Sequence, residues 1–505
     1  MQQARRNAVR RLETAAALGM LLGLSACAPR EADGNGATIP LSPCHLKGLS
    51  EVAECGTLEV FEDRAAQAGR RIALRVAVIP AVTATPDPDP LFILAGGPGQ
   101  AATEIGPTIL PFLRRVRPRR DIVLVDQRGT GSSNPLDCPE EPANGGSKSS
   151  PQDELQRLMD VIVEPDRLTA CLADLDADAR FYTTPPAMDD LDDVRRALGY
   201  VTINLYGGSY GTRAALVYMR RHPAAVRSAV LDGAAPAAIK LPLYMAQDGE
   251  RALRLALDDC AADEQCQERF PDLEADLDAL LRRLKAGPIG VRTRHPRSGD
   301  MVDLNITHDG FVSQLRGALY DPDVVSLLPL IIKRAAGGDF DSFVALGATF
   351  SGGLSDSISL GMFLSVVCAE DLPHIGAAER SKALAGTFLG SVMLDAIEKA
   401  CAIWPRGELP PGYTDPVSAD IPVLILSGAL DPATPPSWGE EVARHLPRAR
   451  HAVAPGAAHN VLPRGCAADV VARFLEAGDA ADLDLSCFDD SRRPPFFLDP
   501  SGPRP

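Results

Sequence analysis

The sequence predicts an α/β protein, with a mostly parallel sheet covered by helices on both faces and a helical region inserted before the last strands. Three observations predict it. Near-continuous apolar runs ended by Pro or Gly recur at 70–80, 90–99, 119–133, 201–208 and 226–236, as expected for strands buried on both faces. Helical spacing fills the intervals. In DDLDDVRRALG (189–199), Leu191, Val194 and Leu198 share one face and Gly199 stops the helix. Between about 237 and 405 the pattern turns helical, and strand-like runs resume at 421–436 and 448–460.

Each segment then takes a place in chain order. Arg5, Arg6, Arg10 and Arg11 precede the apolar run Ala15 to Leu24, which ends in Leu-Ser-Ala-Cys at 24–27. That is the make-up of an export signal, and the run is short for a membrane span. The ending resembles a bacterial lipobox, which implies a signal over 1–26 and lipidation of Cys27. An ordinary signal peptide beside a cysteine is the alternative. Residues 27–55 read as a tether and N-terminal segment, 56–236 as the first part of the core and 237–405 as the inserted cap. The second part of the core spans 406–490, and 491–505 is a Pro-rich tail expected to be poorly ordered.

Composition narrows the function. A formal charge of -16 over 505 residues argues against nucleic acid or a polybasic membrane patch. Of 11 cysteines, ten remain after Cys27, in neighbouring couples. These are Cys44 with Cys55, Cys138 with Cys171, Cys260 with Cys266, Cys368 with Cys401, and Cys466 with Cys487. An even number in an exported chain suggests disulfides, although the sequence leaves their connectivity open. With no C-x-x-C pair and no H-E-x-x-H helix, neither a metal nor another cofactor is expected.

The chemistry centres on NLYGGSYGTRAAL (204–216). Ser209 stands between an apolar run and a helix in the pattern G-x-S-x-G, with Gly207 and Gly211 letting strand and helix approach closely. Read as a nucleophile, Ser209 needs an acid and a histidine after it in the chain. His459, in the loop APGAAHN, is the base by position. Asp431, after VLILSGAL, is favoured as the acid over Asp232, one strand earlier. The oxyanion donors are expected at Tyr210 and in the loop AGGPGQ, near Gly96 and Gly97. His222, at the end of the helix after Ser209, reads as structural.

GGPG, DQRGTGSS, GGSYGT, SGALDPATP and GAAHN, in this order, resemble the α/β-hydrolase peptidases of the proline iminopeptidase and tripeptidyl aminopeptidase family. The likeness runs from about Gly56 to Cys487, and Ala95 stands where the iminopeptidases usually have His. It implies an α/β-hydrolase fold with a helical cap, and cap carboxylates that hold a substrate's free ammonium. Glu370 is the favoured anchor and Asp371 the second, both in SVVCAEDLP (365–373). The alternative for this segment is a solvated acidic turn. Trp404 reads either as pocket lining or as core.

The leading expectation is an exported, lipid-anchored serine exopeptidase acting on short peptides through an acyl-enzyme. Its catalytic domain is expected in the periplasm, with membrane contact only through Cys27. An esterase or amidase with the same triad is the alternative. A catalytically silent envelope binding protein is the third reading, which an intact Ser209, Asp431 and His459 oppose.

Overall fold

The computed structural model describes residues 38–138, 152, 153, 156, 165–355 and 357–503. The signal segment and Cys27 lie outside the described residues. Nine strands make the main sheet: β1 (Ser42–Cys44), β2 (Ala53–Phe61), β3 (Arg71–Ile79), β4 (Leu91–Leu94), β5 (Ile122–Val125), β6 (Ile203–Gly208), β7 (Val226–Asp232), and two late strands after a hairpin. That hairpin, β8 (Ile289–Arg294) and β9 (Met301–Ile306), belongs to the insertion, and β10 (Val423–Gly428) and β11 (Ala449–Ala454) complete the sheet. The order is β1-β2-β3-β5-β4-β6-β7-β10-β11. The first three strands pair antiparallel and the run from β5 to β11 is parallel. This is the sheet of an α/β-hydrolase fold.

Local sequence explains the layering. All residues of LFIL and IVLV in β4 and β5 are buried, because helices cover both faces. Alternate side chains go to opposite faces. Phe92 and Leu94 join one core while Leu91 and Ile93 join the other. Helix α1 (Ala102–Ile109) follows β4, α2 (Thr184–Ala197) precedes β6, and α3 (Tyr210–Arg221) follows it.

The insertion has a core of its own. Helices α4 (Met245–Ala262), α5 (Leu273–Ala286), α6 (His308–Ala318) and α7 (Leu328–Ala336) bury Leu253, Leu280, Phe311 and Ile331 together. The hairpin adds Val302, Leu304 and Ile306. Burial alternates residue by residue along β9, so one of its faces packs on this core and the other is wet. Two further helices, α8 (Pro436–Ala443) and α9 (Ala467–Ala477), flank the last strands.

The N-terminal segment before Gly56 joins the sheet, since β1 pairs with β2 and the disulfide Cys44–Cys55 closes that edge. One expectation needs correction. The tail is ordered over its described residues. Phe496 and Leu498 bury into the cap's core, the Phe497 N–H donates to the Ser326 carbonyl at 2.9 Å, and Arg269 donates to the Leu498 carbonyl at 3.1 Å. Prolines suggested disorder, but two apolar side chains with somewhere to bury outweigh them. All five disulfides join neighbouring cysteines: Cys44–Cys55, Cys138–Cys171, Cys260–Cys266, Cys368–Cys401 and Cys466–Cys487.

Candidate active site

Ser209 occupies a strained turn. Its φ of 56° and ψ of -124° lie in a region that side chains rarely adopt, at a cost on the order of 1–3 kcal/mol. The surroundings hold it there. Its N–H donates to the Asp232 carbonyl at 2.9 Å, and its own carbonyl accepts from the Thr212 N–H at 2.9 Å and hydroxyl at 2.6 Å. A side chain at Gly207 would run into the Gly211 carbonyl, and one at Gly211 into the Leu94 carbonyl. Both glycines are therefore steric requirements of the elbow.

The oxyanion candidates lie beside it. A Cβ at Gly96 would stand 3.3 Å from the Ser209 Cβ, so the loop after β4 passes directly over Ser209. Gly97 holds φ at +103°, open to glycine and few others. Tyr210 is the first residue of α3, whose N-terminal N–H groups favour developing negative charge.

Parallel register brings the remaining groups to the same sheet edge. Gly208 and Leu426 both pair with Asp232, and Gly428 pairs with Ala454, so the turns after β6, β7, β10 and β11 are neighbours. Asp431 is fully buried. Its Oδ1 accepts the N–H groups of Ala433 at 2.7 Å and Thr434 at 2.8 Å. Its Oδ2 accepts the Thr434 hydroxyl at 2.8 Å and lies 2.9 Å from His459 Nδ1. Burial alone would raise its pKa, but His459 and these donors hold it below the ordinary carboxylate value. Asp431 is thus kept ionised next to the imidazole.

Asp232 does other work. Its oxygens accept the N–H groups of Val461 at 2.6 Å and Leu462 at 2.9 Å and the Tyr206 hydroxyl at 2.8 Å. It ties down the loop just after His459. His222 sits between Asp189, at 3.0 Å, and Asp192, at 3.6 Å, a structural place.

Sequence reasoning missed several side chains around His459. The Thr434 hydroxyl lies 3.2 Å from Nδ1 as well as bonding Asp431. Its place three residues after an Asp in a turn is a local hydrogen-bonding signature that could have revealed it. From the cap, the Tyr320 carbonyl accepts the His459 N–H at 3.2 Å, and its ring meets the imidazole edge-on at 4.9 Å. On α4, Arg251 donates to the Ala429 carbonyl at 2.9 Å and the Asp431 carbonyl at 2.8 Å. No local signal distinguishes these cap residues from other helix surface.

The acidic pair at 370–371 must be corrected. Glu370 and Asp371 lie in a π-helical turn, Val367–Asp371, and neither is exposed to solvent. Glu370 accepts from the Thr184 N–H at 2.6 Å, from its hydroxyl at 2.9 Å and from the Tyr413 hydroxyl. Asp371 pairs with Arg213 at 2.9 Å. Carboxylates so enclosed are neither a solvated turn nor a free ammonium anchor. They join the cap's end to α2 and α3, with Cys368–Cys401 alongside. Trp404 is core, its indole N–H donating to Ser365 at 2.9 Å.

Another carboxylate fits an anchor better. Asp248 on α4 is buried, accepts the Trp438 indole N–H at 3.0 Å, and has no Lys or Arg nitrogen within 4 Å among the described residues. Burial pushes it up to about 6, opposed by the Trp438 bond and by the Arg251 and Arg316 charges, while the nearby Asp431 charge adds to the rise. The Tyr244 ring packs edge-on against Trp438 at 5.1 Å. Asp248 is thus a buried carboxylate with no direct ion-pair partner, with the Arg251 and Arg316 charges nearby.

A serine on a strained elbow and, at the same sheet edge, a histidine paired with a buried, ionised aspartate fit a serine hydrolase of the α/β-hydrolase fold. Comparison with known proteins agrees. The alpha/beta hydrolase fold family model matches residues 89–289, and the TAP-like protein model matches residues 386–487. The chain is 28% identical to the serine protease Hip1 of Mycobacterium tuberculosis over 428 residues, 79% of this chain and 80% of that one. It is 29% identical to a tripeptidyl aminopeptidase of Streptomyces coelicolor over 198 residues, 36% and 35% of the two chains. It is 28% identical to a proline iminopeptidase of Neisseria gonorrhoeae over 149 residues, 29% and 33%. These matches make the chain similar to the α/β-hydrolase peptidases of the proline iminopeptidase and tripeptidyl aminopeptidase family.

Proposed function

We propose that the protein is an exported serine exopeptidase that releases residues or short peptides from the free N-terminus of peptide substrates. The observation that carries the exopeptidase mode is Asp248, the buried carboxylate without an ion pair on the cap helix that also grips the acid turn. A substrate ammonium there would supply a direct ion-pair partner, and an internal peptide bond brings none.

His459 takes the Ser209 proton while Asp431 holds the Nδ1–H tautomer. The serine oxygen attacks the carbonyl, and N–H groups near Gly97 and at Tyr210 meet the oxyanion. His459 then protonates the leaving amine, and water releases the acyl group by the reverse sequence. The export reading rests on the N-terminal signal pattern, with Cys27 as lipid anchor in the bacterial envelope and the catalytic part in the periplasm. Five disulfides support an oxidising compartment.

The esterase reading keeps one specific support, the enclosure of Glu370 and Asp371, which removes the anchor that the resemblance implied. One experiment separates the two. Hydrolysis of free and N-acetylated aminoacyl- and tripeptidyl-arylamides is compared with that of short nitrophenyl esters, with Ser209→Ala as control. Serine-dependent cleavage of the free-amine peptides alone supports the exopeptidase. Ester cleavage alone overturns it.

A further inference from the structure

We propose that a strap within the cap, residues 357–361, positions the oxyanion loop, with the Ser359 N–H as its main contact. This rests on the acyl-transfer reading of Ser209, for peptides and esters alike. The loop that passes over Ser209 contains Gly96, Gly97 and Gly99, the last two at φ of +103° and +108°. Such a run leaves the backbone free to take several shapes. Within the loop, the Gln100 N–H reaches the Gly96 carbonyl only at 3.3 Å. An oxyanion donor must nevertheless be held to within about 0.5 Å of its productive place. Neighbours have to impose that precision.

They do so from two sides. In the DQRGTG turn, Asp126 accepts the Thr103 N–H at 2.8 Å and its hydroxyl at 2.9 Å, which fixes the helix leaving the loop. From the cap, the Ser359 N–H donates to the Gly99 carbonyl at 2.9 Å, and Gln100 and Ile358 face each other in an antiparallel bridge. Gln100 Nε2 also donates to the Ser357 hydroxyl at 3.1 Å. The strap has its own anchor, since the Gly361 N–H donates to the Leu136 carbonyl at 2.9 Å. Contact is close enough that a Cβ at Gly99 would stand 2.7 Å from the Ser359 carbonyl. Gly99 and Ser359 are both buried, so water does not replace their bond. The Ser359 hydroxyl is buried without a partner. Its main-chain N–H is therefore the group that serves. The gripped carbonyl lies two residues after Gly97, so Ser359 acts on the candidate donor through the loop and is a positioning residue.

The test is Ser359→Pro in the full chain. Ser359 has φ of -65°, the value proline holds, and Ile358 before it is extended, so the strap accepts the ring while losing the N–H. The expected result is a fall in kcat of about tenfold on whichever arylamide or nitrophenyl ester the wild type cleaves, with KM nearly unchanged. The inhibition constant of phenylboronic acid, whose tetrahedral adduct on serine uses the same hole, rises about tenfold in parallel. A merely structural role would reduce the amount of active enzyme and leave that constant where it was. Ser359→Ala keeps the N–H and recovers wild-type kcat. Should Ser359→Pro not fold, Gln100→Met decides, because it removes only the bond to Ser357 and lowers kcat about threefold with the same parallel rise for the boronic acid. Unchanged kcat and unchanged inhibition in the folded variant overturn the proposal alone. A wild-type chain with no Ser209-dependent cleavage overturns the acyl-transfer reading, and the proposal with it.

Discussion

Replacing Asp431 and Asp232 in parallel by Asn separates catalysis from structure. The two carboxylates are buried at the same sheet edge, one strand apart, and either could serve as the acid by chain order. Asp431→Asn keeps an oxygen for the Ala433 and Thr434 N–H groups, so folding is little affected. Its new amide donor faces His459 Nδ1, however, and stabilises the tautomer that cannot take the Ser209 proton. The expected loss in kcat is on the order of 10⁴, with KM nearly unchanged. Asp232→Asn has a different cost. Three donors converge on its two oxygens, and an amide can accept at only one of them. With Oδ1 kept on the Val461 N–H, the Leu462 N–H is left without an acceptor, a loss of about 1–3 kcal/mol. Urea unfolding with disulfides intact should show that loss, while kcat below the transition falls by only about tenfold as the loop after His459 loosens. An inactive Asp232→Asn of normal stability beside an active Asp431→Asn would refute the assignment.

Three further outcomes follow from the same geometry. Asp248→Asn should raise KM for free-amine arylamides by about tenfold or more and leave nitrophenyl ester cleavage unchanged. Because the Asp248 carboxyl is pushed up to about 6, it neutralises as pH falls through that value, and KM for free-amine peptides should rise there. The peptide-to-ester ratio cancels effects common to both substrates, and a ratio flat across that range would remove Asp248 from substrate binding. Gly211→Ala should give little soluble protein, since its methyl group meets the Leu94 carbonyl of a buried strand. Recovery of fully active enzyme would contradict the elbow packing. Arg251→Met should lower kcat by about tenfold through loss of its two bonds to the acid turn, with Arg251→Lys recovering part of it. Unchanged kcat in Arg251→Met would show that the turn holds itself.

The parts legible in the sequence share a cause. Ser209, Asp431 and His459 each end a strand run, and strand ends are set by local periodicity and by Gly and Pro, both written in contiguous residues. Parallel topology then brings those ends together without further information. The cap resisted reading because its contacts are long-range. Glu370 in CAED reads as an ammonium anchor or a solvated turn, and only the folded chain places Thr184 and Tyr413 around it. Asp248 and Arg251 lie on α4 with no local mark, since their partners Trp438 and the acid turn come nearly two hundred residues later. The tail was misread for the same reason: its apolar pair finds a core that the sequence sets far upstream.

The disulfide pattern carries a consequence for biogenesis. Each native bond joins a cysteine to the next one along the chain, at separations of 11, 33, 6, 33 and 21 residues. A chain oxidised progressively from its N-terminus therefore reaches the correct connectivity by pairing each thiol with the first that follows, and no reshuffling step is called for. That bookkeeping fails if counting starts one cysteine early. A free Cys27 would meet Cys44 first and throw every later couple out of phase. In the proposed lipoprotein, acylation at Cys27 would do more than tether the protein: by consuming that sulfur before oxidation begins, it would set the parity of the whole covalent framework.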